Sequence, residues 1–110
     1  FKETCRINWA SSKDKIFDHI RGLAPYPASW STFVLSDGTN IDFKIFEAEK
    51  INFSLPSQPG TVQTDNRTLL YIGCDDGIIS VRELQLAGKK RMRIEELLRG
   101  HPFKEGTCVK

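Results

Sequence analysis

The spacing of apolar residues changes at two prolines, and this change constrains the fold more than any other feature of the sequence. Upstream, the apolar residues follow the i, i+1, i+4, i+7 spacing of one helix face: Ile16, Phe17, Ile20 and Leu23. Pro25 and Pro27 end that helix, because proline lacks a backbone N–H and restricts the residue before it. Downstream, apolar and polar residues alternate as they do along strands. We therefore expect a helix over residues 12–23, followed by a sheet.

Turn residues divide the alternating part of the chain into short strands. Asp37-Gly38 separates two alternating runs and predicts a hairpin. Pro59-Gly60 suits a type II turn, in which glycine supplies the positive φ. Between Ile45 and Phe46 the apolar set changes sides, which predicts a β-bulge. About five short strands with turns this frequent are typical of a small β-barrel, closed or partly open.

The C-terminal part of the sequence predicts a second, shorter helix. Ile94, Leu97 and Leu98 share one helix face, and Gly100 suits the end of that helix. The predicted fold class is therefore mainly β with flanking helices. A chain of 110 residues and 12.5 kDa fits one domain, with residues 54–60 as a loop inside it.

Composition excludes several classes of protein. No apolar run approaches the ~20 residues that a membrane-spanning helix needs, so no membrane association is expected. The three cysteines are an odd number without a CxxC pair, which favours reduced thiols and a cytoplasmic location over a disulfide framework. Two histidines and three widely spaced cysteines do not form a zinc-ligand pattern, so we expect no metal site.

The sequence lacks the common catalytic motifs. It contains no GxSxG, no GxxxxGK[ST] and no HExxH. His19 is expected to be partly buried or solvated, and His101 to be exposed to solvent. Asp75-Asp76 suits a turn better than a pair of acid–base carboxylates, because adjacent side chains in a turn point apart. No catalytic residue is therefore predicted in this chain.

A basic segment follows the last predicted strand. It places four cations in five positions, namely Lys89, Lys90, Arg91 and Arg93. A loop with this charge, attached to a barrel, suits contact with nucleic-acid phosphates, and Lys13, Lys15 and Arg21 on the first helix would extend it. A solvated run of charge without a partner is the alternative. The tryptophans and most phenylalanines lie in apolar patterns and are expected in the core.

Three segments, in this order along the chain, resemble one family. The first covers residues 20–28 (Ile-Arg-Gly-Leu-Ala-Pro-Tyr-Pro-Ala) and is preceded by Trp9. The second is Pro-Gly-Thr-Val at residues 59–62. The third is Asp76-Gly77 followed by residues 84–92, which have the pattern L-Q-x-x-G-K-x-x-M. Together these segments resemble the C-terminal domain of methionyl-tRNA formyltransferases, from Trp9 to Gly100.

Two positions depart from the family pattern. Asn8 stands where the family usually has an acid, before the tryptophan. Ala28 stands where the family often has glycine, which predicts an ordinary φ at this position. These departures concern local detail more than membership.

The resemblance implies a fold and a role. It implies an OB-like barrel that helps to hold the acceptor arm of methionyl initiator tRNA, with Lys89, Lys90, Arg91, Arg93 and Arg21 as the candidate tRNA contacts. It also implies that formyl transfer from 10-formyltetrahydrofolate takes place on an N-terminal Rossmann-like domain with the catalytic asparagine, histidine and aspartate. Residues 1–110 would then be the single C-terminal domain, a monomer that binds no cofactor and is inactive without that partner domain. The absence of an initial methionine favours the same interpretation.

Two other interpretations stay open at the level of sequence. The chain could be the equivalent domain of another enzyme that uses 10-formyltetrahydrofolate, such as formyltetrahydrofolate dehydrogenase or a sugar formyltransferase. There the barrel would shape a cleft or an interface and the lysines would only be solvated. It could also be a free-standing OB-type module that binds nucleic acid.

Overall fold

The computed structural model describes residues 5–51 and 58–110 as two helices and seven strands. In chain order the elements are α1 (Lys13–Leu23), β1 (Ser29–Val34), β2 (Asn40–Ile51), β3 (Val62–Thr64), β4 (Leu70–Gly73), β5 (Ile78–Leu86), β6 (Arg91–Arg93), α2 (Ile94–Gly100) and β7 (Cys108–Val109). Most of the loop expected at 54–60 lies outside the described residues. The expected class, mainly β with a helix near each end, is confirmed.

The strands form one antiparallel sheet that nearly closes on itself. Its order is β3-β4-β5-β2-β1-β7, and β6 pairs with β5 beside that path. A bridge between Thr61 and Cys108 joins the two ends of the order, so the sheet is a small barrel, as expected. The predicted bulge is also present, because the β2–β5 register shifts between Ile45 and Ala48.

Gly60 lies where the two ends of the sheet meet, a position we call the barrel seam. Its N–H donates to the Gly73 carbonyl at 3.0 Å, and its own carbonyl accepts from the Val109 N–H at 2.9 Å. Its φ is +87°, and a Cβ at this position would lie 2.7 Å from the Val109 carbonyl oxygen. Glycine is required here both by the left-handed backbone and by the close approach of β7.

Two side chains fix the start of α1. The Ser12 hydroxyl accepts from the Lys15 N–H at 3.2 Å, and the Asp76 carboxylate accepts from the Lys13 N–H at 2.8 Å. These bonds satisfy first-turn donors that the helix itself leaves unpaired. Asp76 therefore has a structural role, consistent with its assignment to a turn. Ile16 and Ile20 then bury the inner face of α1 against the barrel.

Aromatic rings form much of the core. Phe33 stacks on Phe43 with ring centroids 3.9 Å apart, and Phe103 packs against the Phe33 ring at 4.7 Å. Trp9 and Trp30 are also buried, as expected, and the Trp9 indole N–H donates to the Ser31 hydroxyl at 2.8 Å. The three phenylalanines and two tryptophans therefore stabilise the barrel and are not exposed to stack on a ligand.

Two local predictions are wrong. Ala28 has a φ of +72° and is buried, so alanine adopts the left-handed conformation at the position where an ordinary φ was expected. His101 is half-buried against the Phe103 ring, at 5.4 Å between centroids, instead of fully exposed.

Candidate nucleic-acid interface

The basic segment is a turn followed by a short strand, not the free loop expected from sequence. Lys89 and Lys90 lie in the connection after β5, whereas Arg91 and Arg93 belong to β6. Strand β6 pairs antiparallel with β5, and Arg93 is opposite Glu83 in the register. Arginines on either side of Met92 give β6 the alternation of an edge strand, and charge is common on such strands.

Three of the four cations in the basic segment already have carboxylate partners. The Arg91 guanidinium donates from Nε and Nη2 to Glu83 Oε1, at 2.8 and 2.5 Å. Arg93 pairs with Glu47 at 3.2 Å, and Lys90 with Glu96 at 3.9 Å. Lys89 has no ion-pair partner among residues 5–51 and 58–110.

The pairs of Lys90 and Arg93 are exposed, whereas Glu83 in the Arg91 pair is only 18% exposed. The side chains of Lys90 and Arg93 are 74% and 44% exposed. Exposed ion pairs contribute only about 0–1 kcal/mol, so a phosphate can replace a carboxylate at small cost. The basic segment therefore remains able to bind an anion, and Lys89 is its least neutralised member.

Phe46 belongs to this surface and not to the core. The bulge leaves it half-buried, and the Arg91 guanidinium lies 4.3 Å from the centroid of its ring. Such a cation–π contact holds the guanidinium in place while leaving its edge available. Only one feature of the sequence indicated this exposure, namely the change of apolar side between Ile45 and Phe46.

The structure brings Arg21 to the same surface. Arg21, Phe17, Phe46 and Glu47 are among the residues that line one cleft of about 220 Å³ between α1 and β2. Glu47 is also the partner of Arg93, and Phe46 lies under Arg91, so the arginines of β6 contact two of the residues that line this cleft. We call Arg21, Lys89, Lys90, Arg91 and Arg93 the basic face. Arg21 is itself paired with Asp18, at 3.2 Å.

Lys13 and Lys15 do not extend the basic face. A helix turns about 100° per residue, so Lys15 lies on the flank of α1 opposite Phe17 and Arg21, with Ile16 and Ile20 between them on the buried side. The stem of Lys13 lies against Gly77, where a Cβ would be 2.7 Å from Lys13 Cδ. Of the three cations of α1 that were expected beside the basic segment, Arg21 therefore lies on that surface, and Lys13 and Lys15 do not.

Shifted pKa values identify structural groups. The backbone N–H groups of Thr68 and Arg67 hold the pKa of Asp65 well below its usual range, and the N–H of Thr39 lowers the pKa of Asp37 in the same way. Burial raises the pKa of the Cys74 thiol. These carboxylates stabilise turns and the thiol lies in the core, so the shifts give no acid, base or nucleophile for catalysis.

Within residues 5–51 and 58–110, no three His, Cys, Asp or Glu side chains cluster closely enough to hold a metal ion. His19 is half-buried, as expected, and its Nδ1 lies 2.8 Å from the Ser29 hydroxyl. All three cysteines are free thiols. Neither described helix has the length and apolar character to cross a membrane.

Comparison with known protein families establishes the family to which this barrel belongs. The model of the family described as formyl transferase, C-terminal domain, matches residues 1–102. The chain belongs to this family. The match includes all three segments on which the resemblance was based, and it counts against a free-standing OB-type module.

Individual relatives agree with the family assignment. The chain is 49% identical over 106 residues to a methionyl-tRNA formyltransferase of Bacteroides thetaiotaomicron, covering 96% of this chain and 33% of the relative. It is 48% identical over 109 residues to the enzyme of the same name from Phocaeicola vulgatus, covering 99% and 34%. For the Flavobacterium johnsoniae enzyme the identity is 38% over 108 residues, covering 98% and 34%. The chain thus spans about a third of the length of these relatives.

Proposed function

We propose that this chain is the tRNA-holding domain of a methionyl-tRNA formyltransferase. Its basic face contacts phosphates in the acceptor arm of methionyl initiator tRNA. A separate N-terminal domain transfers the formyl group from 10-formyltetrahydrofolate to the methionyl amine in the cytoplasm. The names of the relatives and the basic face of the barrel support this proposal together.

The observation that carries the proposal is the exposure of the basic face. Lys89, Lys90, Arg91 and Arg93 are all exposed, and the same surface receives Arg21 from α1. A-form RNA hides its base edges in a deep major groove, so recognition of a stem depends on phosphates and shape. Cations on a barrel match that requirement, because β6 holds Arg91 and Arg93 at a fixed separation and Lys89 and Lys90 lie in the short connection that leads into it.

The role of such a domain is attachment and orientation. A second point of attachment raises the effective concentration of the methionyl end at the catalytic domain without adding a reacting group. The described residues contain no arrangement that would activate a formyl donor. We therefore expect no formyl transfer by the purified 110-residue chain.

A second candidate function is favoured by the ion pairs themselves. Because Lys90, Arg91 and Arg93 each face a carboxylate, the same surface would be stable with no ligand at all. In that case the chain would be the barrel of another enzyme that uses 10-formyltetrahydrofolate, with a substrate other than RNA. Binding experiments separate the two candidates.

The proposed function is tested by fluorescence anisotropy with labelled initiator tRNA at low salt. We expect binding by the 110-residue chain, and we expect a hairpin that contains only the acceptor stem to compete for it. A hairpin with the anticodon stem is the matched control and should compete less well. Absence of binding, or equal competition by both hairpins, would contradict contact with the acceptor arm.

Removing a carboxylate from the basic face should strengthen RNA binding. Glu47 lines the cleft with Arg21 and pairs with Arg93, so Glu47→Gln removes a competitor for phosphate beside two cations. We expect about two- to fivefold tighter binding of initiator tRNA, the size of one exposed ion pair. The measurement is the dissociation constant at fixed salt.

The control for this change is Glu105→Gln, which alters the charge equally at an exposed site in the turn before β7. It should leave the dissociation constant within about twofold of the original value, because a distant exposed charge is largely screened by salt. Weaker binding by Glu47→Gln would mean that Glu47 orients Arg93 for the RNA instead of competing with it.

A further inference from the structure

A second cleft lies on the other flank of α1. It has a volume of about 290 Å³ and lies between the segment 6–8 and the helix. Its lining combines cationic and uncharged polar side chains above two isoleucines: Arg6, Lys15, His19, Asn8, Ser11, Ile7 and Ile16. No aspartate or glutamate is among these lining residues. We call this the Arg6–Lys15 cleft.

The carboxylates of α1 explain the difference in charge between the two flanks. Asp14 pairs with Lys50 at 3.1 Å and Asp18 with Arg21 at 3.2 Å. Neither Arg6 nor Lys15 has an ion-pair partner among the described residues. Three other clefts include a carboxylate in their lining, from Asp42, Glu47 or Asp37. The Arg6–Lys15 cleft is thus cationic, and no carboxylate among its lining residues neutralises that charge.

The walls of the cleft are held in place. The Arg6 guanidinium lies 5.1 Å from the centroid of the Trp30 ring, and residues 6 and 30 form a β-bridge. The Ile7 N–H donates to the Trp30 carbonyl at 2.9 Å, which anchors this segment beside β1. On the opposite wall, Lys15 belongs to the first turns of α1, whose start is fixed by Ser12. The two cations therefore come from elements with fixed relative positions.

Uncharged donors are available between the two cations. The Asn8 side-chain oxygen accepts from the Ala10 N–H at 3.1 Å, which leaves the amide NH₂ group for another acceptor. The Ser11 hydroxyl makes no hydrogen bond within the described residues. A guanidinium, an ammonium, an amide and a hydroxyl around one opening suit a tetrahedral oxyanion, because phosphate accepts several hydrogen bonds at once.

We propose that the Arg6–Lys15 cleft binds a phosphate group of the RNA backbone. This proposal rests on the proposed function and adds to it a second contact region, across α1 from the basic face. A helix with its side chains is about 10–12 Å wide, so the two regions are separated by the length of a few nucleotides. A polyanion that crosses α1 engages both regions, which a small acidic group cannot do.

The test compares tRNA binding by the chain with that of the double variant Arg6→Gln, Lys15→Gln. We expect about tenfold weaker binding, and a slope of log K against log salt that is shallower by about 1, the contribution of one phosphate contact. Lys104→Gln with Lys110→Gln is the matched control, since it also removes two positive charges, and both lysines are exposed, Lys104 beside Asp37 at another cleft. Unchanged affinity and slope in the double variant would overturn the proposal.

A single variant keeps the proposal testable in case the double variant does not fold. Arg6 packs over Trp30, whereas Lys15 is exposed, so Lys15→Gln leaves the core unaltered and should weaken binding, with a slope that is shallower by no more than about 1. If the chain binds no tRNA, the proposed function fails. Titration with inorganic phosphate then tests separately whether the cleft binds an anion. Amide shifts at Ile7, Asn8 and Lys15 on titration with phosphate would support an anion site, and their absence would overturn it.

Discussion

Replacing Gly60 with alanine is expected to lower the free energy of unfolding by about 2–4 kcal/mol. Two costs combine at this position. An L-residue at a φ of +87° is strained by about 1–2 kcal/mol. The new methyl group would also lie 2.7 Å from the backbone oxygen of Val109, so β7 must move and weaken the hydrogen bonds of the barrel seam. Chemical denaturation gives the difference directly.

Gly38→Ala is the matched control for the barrel seam. Gly38 has a φ of +89°, nearly equal to that of Gly60, but a Cβ there would meet no atom within 4 Å. Its expected loss is the backbone strain alone, about 1–2 kcal/mol. Equal losses in the two variants would show that the close approach of Val109 to Gly60 adds no cost beyond the backbone strain.

Reversing the charge of Lys89 and Lys90 together should reduce the affinity for initiator tRNA by about 10- to 100-fold at low salt. Lys89 has no carboxylate partner in the described part of the chain, and the Lys90 pair is long, at 3.9 Å, so both are available to phosphate. The double variant should also make the salt slope shallower by about 2. Anisotropy titrations at several salt concentrations measure both quantities.

The control for this variant carries the same change in net charge elsewhere. Lys104→Glu with Lys110→Glu alters two exposed lysines near the C-terminus of the chain. At physiological ionic strength it should weaken binding by no more than about threefold, because charges beyond a Debye length of about 8 Å are then largely screened. Equal weakening by the two double variants would mean that net charge, and not the basic face, determines RNA binding.

Local features of the fold were predictable from sequence because neighbouring residues determine them. The helix α1 follows from apolar spacing and the prolines after it, and Ser12 caps it as a serine at that position should. The turn at Gly38 and the bulge after Ile45 follow from turn chemistry and from the change of apolar side. Each of these depends on residues within a few positions of one another.

Features that depend on distant residues were not predictable. The pairing of Arg93 with Glu47 joins positions 46 residues apart, and nothing near either residue indicates it. The exposure of Phe46 depends on the register shift between β2 and β5 and on the pairing of β6 with β5. The Arg6–Lys15 cleft depends on the bridge between residues 6 and 30, which places an irregular segment beside α1. The density of charge along the sequence therefore predicted only one of the two cationic regions.

The left-handed backbone at Ala28 has a different explanation. Sequence logic reserves a positive φ for glycine, asparagine and aspartate, so alanine argued for an ordinary conformation. The Ala28 N–H instead donates to the Leu23 carbonyl at 2.9 Å, closing the turn that carries the chain from α1 into β1. The turn closed by this hydrogen bond outweighs the preference of the single residue.

The salt dependence of initiator tRNA binding tests the central claim most directly. If the barrel holds tRNA through phosphates, log K should fall with log salt with a slope of about −2 to −3 from the contacts of Lys89, Lys90 and Arg91. The slope becomes steeper if the Arg6–Lys15 cleft also contributes. No binding at low salt, or binding that does not change with salt, would contradict the assignment of this chain as the tRNA-holding domain.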